Sequence, residues 1–184
     1  MTLVSFVNQF LSLGVVISQI GIIALIVYLL FFRSEKFTIT EFIGKHGLLF
    51  AFLASLTATL GSLFYSQIAG FPPCDLCWFQ RIFMYPEVFL LGMALIKKDS
   101  RIVGYGLLLA IVGGVVSLYH NYIYYYDEGL NAFCQLGTAS VSCVKRYVFE
   151  FGYVTIPLMA LTVFALVILF LIFYKRYTKS IMNQ

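Results

Sequence analysis

Residues 102–123 read IVGYGLLLAIVGGVVSLYHNYI and contain no Asp, Glu, Lys or Arg. A helix needs about 20 predominantly apolar residues to cross a bilayer, so this run predicts a membrane-spanning helix. Four other stretches have a comparable length and a largely apolar content: residues 10–32, 47–69, 79–96 and 153–174. The sequence therefore predicts five spanning helices.

The composition agrees with a membrane protein. Hydrophobic residues make up 61% of the chain and charged residues only 11%, whereas soluble domains are about 25% charged. The net charge of +4 comes from basic residues in twos and threes, without the long basic run that is typical of nucleic-acid-binding segments. We therefore expect an all-α integral membrane protein with lipid around it and no nucleic-acid partner.

The first apolar stretch is predicted to be a retained helix and not a cleaved signal peptide. Residues 1–10 contain no Lys or Arg, and no A-x-A cleavage site follows the apolar run. The run is also longer than the apolar region of a signal peptide, about 15 residues at most.

The basic residues predict the orientation, because Lys and Arg collect in cytoplasmic loops. Nine of the twelve lie in three alternate segments: Arg33, Lys36 and Lys45; Lys97, Lys98 and Arg101; Lys175, Arg176 and Lys179. The opposite loops hold only Lys145 and Arg146, and Arg81 lies inside a spanning segment. We therefore expect a multi-pass protein of the plasma (inner) membrane, with the N-terminus outside and the C-terminus in the cytoplasm.

All four cysteines fall in or beside the loops predicted to face outward: Cys74, Cys77, Cys134 and Cys143. Disulfides form and persist outside the cytosol. Cys74 and Cys77 form a C-x-x-C pair directly after two prolines. Prolines favour a helix start, where the dipole stabilises a thiolate. This pattern predicts a redox couple. A structural staple suits the Cys134 and Cys143 pair equally well, and a zinc site built from all four thiolates is a further alternative.

Two polar residues of the spanning segments are candidates for binding an acceptor of the electrons. Arg81 follows Cys77 by four residues, so a helix places both on one face, and a cation there would stabilise a thiolate and a partly reduced ring. His120 stands at the outer end of the fourth segment and is able to donate a hydrogen bond to such a ring. Glu87 is another charge within a spanning segment, and nothing in the sequence assigns it a role.

The run CDLCWFQR at 74–81, followed by IFMYP at 82–86, resembles the signature of the DsbB/BdbC family of disulfide formation proteins. The Tyr119-His120 pair, the second cysteine pair and YVTIP at 153–157 add to the likeness, which spans residues 45–175. The resemblance implies a four-helix membrane bundle, here residues 45–184. Residues 1–44 then form an extra N-terminal transmembrane helix and a cytoplasmic loop.

The resemblance also implies an activity and a role for each site residue. A DsbA-like thioredoxin-fold thiol oxidase attacks Cys134, whose disulfide mate is Cys143. Electrons then reach the Cys74 and Cys77 pair, and Cys77 faces a quinone, either ubiquinone or menaquinone. Arg81 and His120 are expected beside the quinone ring, and no metal is expected.

Three features leave alternatives open. The first helix is extra, Glu87 stands where the family has an apolar residue, and the spacing of nine between Cys134 and Cys143 is short. A quinone-linked reductase like vitamin K epoxide reductase also uses a C-x-x-C in a helical bundle, although the run Cys-Trp-Phe-Gln-Arg argues against it. A non-redox membrane protein with structural disulfides and a metal-dependent membrane protein complete the alternatives.

Overall fold

The computed structural model describes residues 3–31, 38–126, 143 and 145–182. In this part of the chain five α-helices follow one another: α1 (Leu3–Phe31), α2 (Thr38–Leu63), α3 (Asp75–Lys97), α4 (Ser100–Tyr126) and α5 (Ile156–Met182). A short π-helix, Phe64–Ile68, continues α2. All five α-helices are long and apolar enough to cross a membrane. The predicted all-α membrane fold with five spanning helices is confirmed.

The helix ends differ from the predicted ends in two ways. Helices α1 to α4 begin before the apolar runs do, since a helix extends into the polar interface, where flanking residues remain helical. Helix α5 begins later, at Ile156 and not at residue 153. The backbone groups of Glu150 and Val154 bond each other there, at 3.0 and 2.8 Å, and Gly152 takes a positive φ of 77° to close this turn.

Helices α2 to α5 pack into a bundle in which α2 contacts α3 and α5, and α4 contacts α3 and α5. Its buried core includes Leu91 from α3, Ala110 from α4 and Phe164 from α5. A Cβ atom at Gly113 would collide with the ring of Phe164. Small residues at such points let helices approach closely, which is how membrane helices gain packing energy.

Helix α1 packs chiefly on α5. Gln19 attaches it: Gln19 Nε2 donates to Thr162 Oγ1 at 3.2 Å, and the Tyr153 hydroxyl donates to Gln19 Oε1 at 2.9 Å. Ser12 and Val15 are buried on the same helix. Two polar contacts in an apolar surrounding thus set the position of α1 along α5.

Glu87 lies on the interior face of α3, in line with Met84 and Leu91, and is 0% exposed. Neither carboxyl oxygen has a hydrogen-bond partner within the described part of the chain. A buried polar group without a partner costs about 1–3 kcal/mol. Glu87 is therefore a source of instability at the centre of the bundle.

We expect Glu87→Leu to raise the free energy of unfolding by about 1–3 kcal/mol, because leucine removes the unpaired carboxyl and keeps an apolar side chain of similar size. Glu87→Gln is the control, since it keeps a buried polar group. Thermal unfolding of both variants in detergent measures the difference. A lower melting temperature for the leucine variant than for the glutamine variant would contradict the assignment.

Candidate active site

The first thiol pair lies where the chain turns from α2 into α3. Gly70 reverses the chain with a φ of 70°, and the amide of Phe71 donates to the carbonyl of Tyr65 at 2.9 Å. Cys74 is the N-cap residue of α3, with extended backbone angles, and its carbonyl accepts from the Trp78 amide at 3.1 Å. The predicted helix start at the C-x-x-C is confirmed.

Both thiols of this pair are free. The Sγ atoms of Cys74 and Cys77 lie 2.9 Å apart, with Cys74 buried and Cys77 partly exposed. The hydrogen bond from the Cys77 thiol lowers the pKa of Cys74 to about 5, although burial opposes the change; a further hydrogen bond from His120 also lowers it. These hydrogen bonds therefore favour a thiolate at Cys74.

His120 lies beside this pair and is 1% exposed. Its Nε2 atom lies 3.2 Å from the carbonyl oxygen of Cys143 and 3.9 Å from Sγ of Cys74, and its Nδ1 atom lies 3.1 Å from Nε2 of Gln80. A carbonyl oxygen only accepts, so Nε2 carries the proton. In the neutral ring Nδ1 is then the acceptor, and the Gln80 amide donates to it. Gln80 therefore selects the tautomer that directs an N–H toward Cys143 and Cys74.

Cys143 brings the second cysteine pair to the same place. It is disulfide-bonded and 4% exposed, and it packs in one apolar cluster with Cys74, Leu76 and Ile123. Its expected mate, Cys134, lies outside the described residues. The fold thus brings a residue of each pair together around His120, across 46 and 23 positions of sequence.

Arg81 stands one turn below Cys77 on α3, as its spacing predicts. Its Nη2 atom donates to the carbonyl of Ser62 on α2 at 3.2 Å, and its guanidinium lies 5.2 Å from the centre of the Trp78 ring. These contacts hold the cation inside the protein and fix it next to the thiols.

The thiols, Arg81 and His120 border one cavity of about 550 Å³. This volume lies in the range of small-molecule sites, about 300–1,000 Å³. Apart from the polar groups beside the C-x-x-C, the walls are mainly apolar side chains of α1, α2 and α5. The site residues predicted from the sequence thus converge on one apolar cavity, except Cys134, which the structure does not describe.

A metal is a poor fit to the same group of residues. Atoms of Cys74, Cys77 and His120 lie within 4.8 Å of one another. However, the His120 nitrogen nearest the sulfur carries the proton that bonds the Cys143 carbonyl, so it offers no lone pair to a cation. The sequence analysis did not identify Gln80, which determines the nitrogen of His120 that carries the proton. Its position three residues after Cys77 places it near the thiols on a helix and was the only sequence feature that pointed to it.

Comparison with known proteins gives the same family throughout. Residues 44–174 match the model of the family described as disulfide bond formation protein DsbB. The chain is 49% identical over 119 residues to probable disulfide formation protein C 1 of Bacillus cereus, covering 64% of this chain and 83% of that protein. It is 39% identical over 127 residues to disulfide bond formation protein C of Bacillus subtilis, covering 68% and 89%.

A second Bacillus cereus relative, probable disulfide formation protein C 2, is 37% identical over 142 residues, which is 76% of this chain and 99% of the relative. No solved structure matches the chain. The family match covers most of the chain, including α3, α4 and both cysteine pairs. The chain therefore belongs to the DsbB family of membrane proteins that form disulfide bonds.

Proposed function

We propose that this protein reoxidises a DsbA-like thioredoxin-fold thiol oxidase outside the membrane and passes the electrons to a membrane quinone. The observation that carries the proposal is the contact of Cys74 with the Cys143 segment through His120, beside an apolar cavity. A protein with two independent structural disulfides has no need of a free C-x-x-C pair, with Cys74 buried, next to the second one.

The electron path begins at the outer pair. The partner's thiolate attacks Cys134, the Cys134–Cys143 bond breaks, and the Cys143 thiolate is released. The partner's second thiol then attacks the mixed disulfide, so the partner leaves oxidised. The outer pair now holds two electrons and two protons as a dithiol.

The inner transfer follows from the packing of Cys143 against Cys74. Cys143 attacks Cys74 and gives up its proton to Cys77, so the Cys74–Cys77 bond breaks and Cys77 is left as a thiol. Cys134 then attacks Cys143, which reforms the outer disulfide and releases Cys74. A thiol with a low pKa is a good leaving group, and the pKa of Cys74 is about 5.

The cavity residues fit a quinone. A quinone supplies a two-electron acceptor that takes both protons, which converts the inner dithiol back to a disulfide. Cys77 and Arg81 border the cavity, so the inner thiol pair has a fixed cation nearby and mainly apolar walls around it. His120 remains a predicted ring contact; its bonds to Cys143 and Gln80 also support a role in stabilising the Cys74 thiolate.

We place this machinery in residues 45–184, with residues 1–44 as an added helix and loop. The cysteine loops and the N-terminus then face outward and the C-terminus faces the cytoplasm of a plasma (inner) membrane. The basic residues support this orientation, because nine of twelve lie on one side.

The first test is quinone reduction by the purified protein in detergent with a reduced thioredoxin-like partner. We expect turnover in wild type and a loss of at least about 100-fold in Cys77→Ser and in Cys134→Ser, because each removes an obligatory sulfur. Changes in quinone absorbance measure the rate. A wild type that reduces neither ubiquinone nor menaquinone while its thiols stay in disulfides would favour structural disulfides.

Trapping of a mixed disulfide identifies the cysteine that reacts with the partner. In Cys143→Ser, Cys134 has no mate, so its thiolate attacks the disulfide of an oxidised partner, that disulfide breaks, and the partner is joined to Cys134 as a mixed disulfide. We expect a conjugate that disappears on reduction, seen by non-reducing electrophoresis and identified by mass spectrometry. The double variant Cys134→Ser/Cys143→Ser is the control. A conjugate of equal yield in the control would place the attack at another cysteine.

The positioning role of Gln80 gives a pH test. In the reduced inner pair the thiolate of Cys74 is present above about pH 5, so alkylation of Cys74 rises through that pH and then levels off. Gln80→Leu removes the donor that holds the His120 tautomer. A hydrogen bond to a charged group is worth about 1.5 kcal/mol, so we expect the midpoint to move upward by about one pH unit.

The measurement is the rate of alkylation at Cys74 against pH, followed by mass spectrometry with Cys143 kept in its disulfide. Gln67→Leu is the matched control, because Gln67 is exposed and bonds only Ser66. If the midpoint of the pH profile for Cys74 alkylation is unchanged in Gln80→Leu, Gln80 does not position His120.

A further inference from the structure

Helix α1 lies outside the residues that match the family, 44–174, yet it forms part of the cavity that contains Cys77 and Arg81. Residues of α1 between Phe10 and Ser18 line this cavity together with α2 and α5. An added helix therefore contributes directly to the space beside the reactive thiols.

The cavity is deep as well as apolar. Its outer end is at the C-x-x-C and Arg81, and its lining continues to Leu53 on α2 and Leu166 on α5. Leu53 precedes Ser62, the bonding partner of Arg81, by nine residues, and helices rise 1.5 Å per residue, so the cavity extends about 14 Å toward the membrane centre. A ring held at the thiols leaves the inner part for an apolar tail.

The two faces of α1 differ in what they contact. One face holds the buried Ser12 and Val15, and Gln19 bonds it to α5. Phe10, Leu13 and Ile17, which line the cavity, follow the other edge of α1 and are all more than half exposed, so this edge borders both the cavity and the lipid that surrounds a spanning helix. Helix α1 thus lies between the cavity and the lipid.

We propose that α1 forms the lipid-side wall of the acceptor cavity and binds the apolar tail of a prenylated quinone, so that this helix selects acceptors by their tails. The proposal rests on the proposed function and assigns a part of the site to residues that the family match does not include. Gly14 is among the residues that line the cavity, and a Cβ added there would meet nothing within 4 Å, so a larger side chain at this position has space to enter the cavity.

Gly14→Leu tests this wall, because the new side chain enters open space without a clash. Gly21→Leu is the matched control: it lies on the same helix, its added Cβ also meets nothing within 4 Å, and it is not among the cavity residues. The probes are menaquinone with its full isoprenoid tail and menadione, which has a naphthoquinone ring without a tail. Quenching of the fluorescence of Trp78, the only tryptophan, measures binding without turnover.

We expect Gly14→Leu to raise the Kd for menaquinone more than tenfold, since each methylene kept out of an apolar site weakens binding roughly fourfold. Binding of menadione stays within twofold of wild type, and Gly21→Leu leaves both probes within twofold. The KM for menaquinone changes in parallel, while turnover with menadione is kept. Ser18→Leu, one turn further along the same lining, repeats the test if Gly14→Leu does not fold.

Two results would contradict the proposal that α1 binds the quinone tail. Unchanged menaquinone binding in both Gly14→Leu and Ser18→Leu would mean that α1 does not contact the tail. Equal weakening of both probes would mean that the changes disturb the ring end of the cavity. Failure of the proposed function is a different result: wild type would then reduce neither probe with a reduced partner, whatever the state of α1.

Discussion

The hydrocarbon core of a membrane offers no hydrogen-bond partner, so a polar group placed there must find its partner inside the protein. Within the five helices the backbone groups hydrogen-bond to one another. Two side chains find partners on neighbouring helices: Arg81 donates to a carbonyl of α2, and Gln80 donates to the ring of His120. Because these bonds cross between helices, the same need that stabilises the bundle also fixes the geometry around the thiols. Glu87 has no partner within the described residues, and neither do several buried hydroxyl groups of the helices, among them those of Ser55 and Ser117.

The link between the two cysteine pairs depends on one small buried network. Gln80 holds the tautomer of His120, and His120 directs its N–H toward the Cys143 carbonyl and the Cys74 sulfur. A buried hydrogen-bonded network has one preferred arrangement, so it keeps Cys74 and Cys143 close to each other. Hydrogen bonds from Cys77 and His120 also lower the pKa of Cys74.

The bundle and the added helix divide the site between them. The residues around the sulfur atoms come from α3, α4 and the segment at Cys143, all within the family match. The apolar depth of the cavity is shared by α1, α2 and α5. The thiols and the apolar part of the cavity therefore lie on different elements, which permits one to vary while the other is kept.

The sequence by itself determined five helices, the helix start at Cys74 and the position of Arg81 one turn after Cys77. These are local properties, because apolar run length, proline position and helical spacing involve neighbours in the chain. The run of residues around the C-x-x-C also indicated the family. Tertiary structure alone decided that His120 contacts Gln80, that Cys143 packs on Cys74 and that α1 borders the cavity. These contacts depend on how each helix rotates and tilts against the others, and apolar stretches without a polar face do not specify that rotation.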